Sequence, residues 1–86
     1  MEKIIKVNEY TKENGIILNW EAGAMIKCEI QNERVYLTAN KEGLLSLANH
    51  FVNLSQDTIP NTYHIHFDMS NAFEDGSVEL IVEKME

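Results

Sequence analysis

Disulfide chemistry is closed to this chain of 86 residues, because it holds one cysteine, Cys28. A single thiol cannot form an internal bridge, and one cysteine with no Cys-x-x-Cys partner is not a zinc or redox motif. Proline occurs once, at Pro60, and glycine four times, so there is no Pro- or Gly-rich linker and nothing to divide the chain. No apolar run reaches the roughly 18 residues that a membrane helix needs. The first residues also lack the apolar stretch of a signal peptide. One domain spanning 1–86, in the cytoplasm, is the expectation.

Bases are scarce as well. Seven Lys and Arg face fourteen Asp and Glu, for a net charge of −7, which argues against a nucleic-acid or anionic-membrane partner. The imbalance is local. Residues 1–56 carry seven acids and six bases, whereas 57–86 carry seven acids against Lys84 alone. An acidic third of this kind suits a basic protein partner, although acids also serve plain solubility.

What is present is alternation. Ile16, Leu18 and Trp20 share one face of a first strand; Ile26, Cys28 and Ile30 alternate with Lys27 and Glu29 in a second. The polar residues 31–33 close a hairpin into Val35, Leu37 and Ala39, whose alternates are Tyr36 and Thr38. Residues 2–8 offer a further N-terminal strand. From Asn40, a good N-cap followed by Glu42 in the first turn, the period becomes helical. Leu44, Leu47, Ala48, Phe51, Val52 and Ser55 then form a stripe, with Asn49, Asn53 and Gln56 opposite. The spacing predicts a helix over 41–55.

After a break at Asp57, Pro60 and Asn61, Tyr63, Ile65 and Phe67 alternate with His64, His66 and Asp68. Past a loop, Val78, Leu80 and Val82 alternate with Glu79, Ile81 and Glu83. The apolar sets belong under the helix. The fold class is therefore α+β: a two-layer β-β-β-α-β-β arrangement, with one mainly antiparallel sheet covered on one face by one helix. Its uncovered face would gather Asn19, Lys27, Glu29, Tyr36, Thr38, His64, His66, Asp68, Glu79, Ile81 and Glu83. Aromatic and apolar residues inside a polar rim suit protein binding, and the same mix also serves as an ordinary solvated face.

Catalytic constellations are missing. Cys28 sits between Ile26 and Ile30 on the same face and reads as a buried apolar filler, and Trp20 reads as core. His50 reads as a boundary residue. There is no phosphate loop, nucleophile elbow or Cys-x-x-Cys pair, and neither an enzyme nor a cofactor is expected. His64 and His66, two apart on a strand, could share a metal ion only if a neighbouring strand supplied further ligands through Glu79 or Glu83. They are the metal candidates in a chain for which no metal is expected. The Glu74-Asp75-Gly76 turn lacks the spacing of a calcium loop.

The run Val35-Tyr-Leu-Thr-Ala-Asn40-Lys-Glu-Gly-Leu44 with Leu47-Ala48, then Tyr63-His-Ile-His-Phe-Asp68 and Gly76-Ser-Val-Glu-Leu-Ile81, resembles the bacterial immunity protein 32 family. The resemblance covers residues 34–83. It implies a cytoplasmic, non-catalytic inhibitor that binds a cognate polymorphic toxin stoichiometrically, the toxin being a basic nuclease if the acidic third is a guide. Asn40 and Gly43 look structural within that pattern and do not transfer as a site. The toxin-binding expectation rests on Tyr36 as aromatic anchor with His64, His66, Asp68, Glu74, Asp75, Glu79 and Glu83. The alternative is a small metal- or ligand-binding domain centred on His64 and His66, and a third reading is a homo-oligomer joined by edge strands.

Overall fold

Regular structure starts at residue 26 in the computed structural model, which describes residues 1–85. Strands β1 (Ile26–Gln31) and β2 (Arg34–Ala39) form an antiparallel hairpin in which Ile26 faces Ala39 and Gln31 faces Arg34. Asn32 and Glu33 both take positive φ, 51° and 64°. A two-residue hairpin turn of this kind matches the strand twist. Helix α1 (Lys41–Leu54) follows at once. Strands β3 (His64–Phe67) and β4 (Leu80–Glu83) make the second antiparallel hairpin, His64 facing Glu83 and Phe67 facing Leu80.

Asn40 joins hairpin to helix. Its Oδ1 accepts from Gly43 N at 2.7 Å, capping the helix, and from Met25 N at 3.0 Å, while its Nδ2 donates to Gly23 O at 2.9 Å. The close approach requires glycine at 43. A Cβ there would lie 2.6 Å from the carbonyl oxygen of Met25 and 2.9 Å from Ile26 Cγ1.

The α+β class and the helix agree with the sequence reading, and the sheet does not. One continuous sheet is replaced by two two-stranded sheets among the described residues. The loop between β3 and β4 bonds to β1 through Glu74 N to Ile26 O and Val78 N to Cys28 O, both 2.8 Å. The expected strands over 16–21 and 2–8 are absent. Residues 1–25 hold only an isolated Thr11–Gly15 bridge.

Those residues have other partners, and this explains a second correction. The expected buried stripe of α1 is rotated: Leu44, Phe51, Val52 and Ser55 are exposed, while Ser46, Asn49, His50 and Asn53 join Gly43, Leu47 and Leu54 in the interior. Polar side chains are buried here because the N-terminal backbone satisfies them. Asn53 Oδ1 accepts from Asn8 N at 2.8 Å and Gln56 Oε1 from Tyr10 N at 3.0 Å. Asn49 Nδ2 donates to Lys6 O at 2.8 Å and Gln56 Nε2 to Asn8 O at 2.9 Å. Further along, Ser46 Oγ accepts from Glu21 N at 2.8 Å. Side-chain amides on successive helical turns thus do for residues 6–10 what a neighbouring strand would do.

Replacing Asn53 with alanine should therefore cost about 1–3 kcal/mol, since the Asn8 N–H loses its acceptor and a buried space opens. Chemical denaturation measures the loss. Faster hydrogen exchange at the Asn8 amide, with the β3–β4 amides unchanged, would place it at the N-terminal segment.

The core is Ile26, Cys28, Leu47, Leu54, Ile59, Ile65, Phe67 and Phe73, with Tyr10, Ile16, Leu18, Leu80 and Val82 packed around it. Cys28 is buried as expected, and burial pushes its thiol pKa up. Trp20 is not the core residue expected from its alternation: it is 41% exposed, with one edge toward His50 and Phe67. His50 moves the other way. It is fully buried, stacked at 5.8 Å on Phe67, which in turn stacks at 5.9 Å on Phe73.

Candidate functional site

Alternation along β3 sends Ile65 and Phe67 inward and leaves His64 and His66 outside. The antiparallel register sets Glu83 opposite His64, and Ile81, itself exposed, opposite His66. His66 Nδ1 lies 3.1 Å from Glu79 Oε2, and His64 Nδ1 lies 3.9 Å from Glu83 Oε1 and 3.0 Å from the Thr62 carbonyl. The two rings stand 4.8 Å apart, edge to face. His64, His66, Glu79 and Glu83 therefore form one exposed patch around Ile81. Among the described residues no three His, Cys, Asp or Glu side chains converge to hold a metal ion.

Asp68 has a different place from the one expected. β3 ends at Phe67, and Asp68 opens the following turn. Its Oδ1 accepts from Ser70 Oγ at 2.6 Å and Ser70 N at 2.9 Å. Those bonds, with the Ser70 hydroxyl leading, hold its carboxyl below the usual carboxylate range. Asn71 locks the same turn, receiving Asp68 N on Oδ1 and donating from Nδ2 to His66 O. Asp68 thus builds the loop that leads to the patch.

Glu74 and Asp75 lie where the hairpins meet. The Glu74 N–H binds β1, and Gly76, at φ 87°, turns the chain back. A Cβ on Gly76 would lie 4.0 Å from Lys27 Cε, so this acidic turn sits beside the outer side of β1. Tyr36, half-exposed on β2, pairs with Glu29 and shares that side with Lys27 and Thr38. Asn19 does not share it: its N–H bonds Asn49 Oδ1 on the helix, at 3.4 Å. The candidates thus fall into a compact group on the second hairpin, an acidic turn at the junction, and Tyr36 on the first hairpin.

Sequence reasoning missed Lys84. The one base of the acidic third donates through Nζ to the carbonyls of Gln56 and Ile59, just beyond the C-terminal end of α1. The signal was a helix whose last turn carries no base of its own, although cations are favoured at that end. The consequence is electrostatic. Among the described residues no Lys or Arg pairs with Glu74, Asp75, Glu79 or Glu83.

A cavity of about 450 Å³ lies elsewhere, lined by residues 3–6, Asn19, Trp20, Glu21, Leu45, Ala48 and Asn49. None of the candidate residues lines it. No helix among the described residues is long and apolar enough to cross a membrane.

Comparison with curated proteins and with solved structures gave no match. The model of the family described as immunity protein 32 matches residues 34–85, which takes in β2, α1 and the whole second hairpin and leaves out β1 and the N-terminal segment. Because that match spans more than half of the chain, this protein belongs to the immunity protein 32 family.

Proposed function

We propose that the chain is a cytoplasmic inhibitor that binds the toxin domain of a cognate polymorphic toxin, one to one, through the patch of His64, His66, Glu79 and Glu83 and the neighbouring Glu74–Asp75 turn. Family membership supports the immunity role. The observation that carries the choice of surface is the set of carboxylates with no Lys or Arg partner among the described residues, while Lys84 donates to the carbonyls of Gln56 and Ile59. Such a field raises the association rate of a cationic partner and favours it over neutral ones. A basic cleft of the kind that grips nucleic acid fits, so a nuclease is the toxin class proposed. Ile81, exposed amid the charges, supplies apolar contact at the centre of the patch. Asp68 acts by shaping the loop. Inhibition of this kind needs no catalytic group.

The test is to read the open reading frame next to this gene and co-express the chain with the toxin domain it is expected to encode. Cells carrying both should grow where cells carrying the toxin alone do not, and the two proteins should co-purify in equal amounts. Growth arrest despite full expression of this chain would reject the reading.

A further inference from the structure

Strand β2 ends its sheet with an edge on which no other strand pairs among the described residues. Which groups it offers follows from the register. Asn40 N donates to Met25 O at 3.1 Å, and antiparallel ladders exchange bonds at every second pair. Thr38, Tyr36 and Arg34 therefore turn their backbone groups toward β1. Val35, Leu37 and Ala39 turn theirs outward.

Natural sheets protect an open edge with a proline, a bulge, inward charges or a very short strand. β2 has six residues, Arg-Val-Tyr-Leu-Thr-Ala, with one charge, at its first position. The side chains are also open. Ile26 and Cys28 mark the helix-facing side of this hairpin, and Ile30, Val35 and Leu37 continue it by alternation and register. Yet Ile30 is 62% exposed and Val35 64%. The helix does not reach them.

We propose that β2 pairs with β2 of a second copy, antiparallel about a twofold axis at Tyr36, giving a four-stranded sheet across the dimer. This register sets each Val35 against the other copy's Leu37, using the outward backbone groups of both. The apolar side chains on the helix side meet each other, and the two Tyr36 rings pair on the outer side. Arg34 falls opposite Thr38, so no like charges face. A strand of this sequence is self-complementary, as a twofold interface requires.

Charge selects the second copy as the occupant. In a chain of net −7, residues 26–41 hold Lys27, Arg34 and Lys41 against Glu29 and Glu33, so this hairpin and the start of α1 form a segment that is not acidic. Two copies meet there without bringing their acidic thirds together. The same arrangement leaves both His64–Glu83 patches outside the interface.

Sedimentation of the full chain over a wide concentration range should show twice the 9.9 kDa mass of one copy. Val35→Lys, which sets a charge on the edge, should return it to one copy with an unchanged circular dichroism spectrum. A second readout fixes the register. Cysteines at Tyr36→Cys would sit about 4.5 Å apart between Cα atoms across the axis, within disulfide range, and should cross-link under mild oxidation. Thr38→Cys, on the same face but about 13 Å from its counterpart, should not. A single-copy mass at every concentration, or cross-linking no better at 36 than at 38, would overturn the proposal.

Discussion

Phe67→Ala is expected to cost about 3–5 kcal/mol, the range for a fully buried phenylalanine truncated in a core that cannot close the space. The ring has no exposed surface and is held between the His50 and Phe73 rings, with Trp20 edge-on at 6.4 Å. Three aromatic side chains lose their common contact at once. For a chain of this length total stability is on the order of 4–13 kcal/mol, so the substitution removes a large share of it. Urea denaturation should show a much lower midpoint at an unchanged slope. Phe51→Ala is the matched comparison: 41% of Phe51 is exposed, and its truncation should cost under about 1 kcal/mol. The apolar stripe read from sequence puts both phenylalanines in one core, and the pair of measurements separates the two arrangements of the helix.

The second large effect is loss of stability in acid. Among the described residues neither ring nitrogen of the buried His50 has a hydrogen-bond partner, and burial lowers its pKa from 6.5 to about 4. Protonation would put a charge against Trp20 and Phe67, and among the described residues no carboxylate pairs with His50. Between pH about 6.5 and about 4 the unfolded chain therefore binds a proton that the folded chain refuses. Stability rises with pH through that window, is complete above it, and is lost as the pH falls through it. The difference amounts to about 3 kcal/mol. Denaturation midpoints at neutral pH and near pH 4 measure it, and His50→Leu, which cannot charge, should flatten the slope between them. The Asp68 carboxyl, held low by Ser70, adds a loss of the same direction below the usual carboxylate range.

Local rules made much of the fold legible. The β1–β2 hairpin, the Asn40 cap, the extent of α1 and the inward set of β3 follow from period and turn chemistry, which act between near neighbours. What was hidden depended on distant partners. Asn49, Asn53 and Gln56 read as a wet helix face because asparagine is commonly solvated, and only the backbone of residues 6–10, more than forty positions away, makes their burial favourable. Once that segment covers the polar side, the helix turns and leaves Leu44, Phe51 and Val52 outside. His50 follows the same rotation into the core.

The candidate site was legible to a similar degree. Alternation placed His64, His66 and Glu83 outside, and the register brought them together with Glu79. Asp68 departed because Ser70 and Asn71 draw it into a turn, so that the strand ends one residue before the alternation does. Nothing local in the sequence marks Lys84 as the donor to loop carbonyls that follow a helix ending thirty positions before it.

The rate at which the chain associates with its toxin, followed by stopped flow at several salt concentrations for the wild type and for Glu79→Lys with Glu83→Lys, tests the acidic patch most directly. Exposed charges act over about 10 Å at 0.1 M salt. The wild-type rate should therefore fall steeply with added salt, and the double variant should associate at least tenfold more slowly at low salt with a nearly flat dependence. Equal rates for the two proteins at low salt would show that the toxin docks elsewhere on the chain.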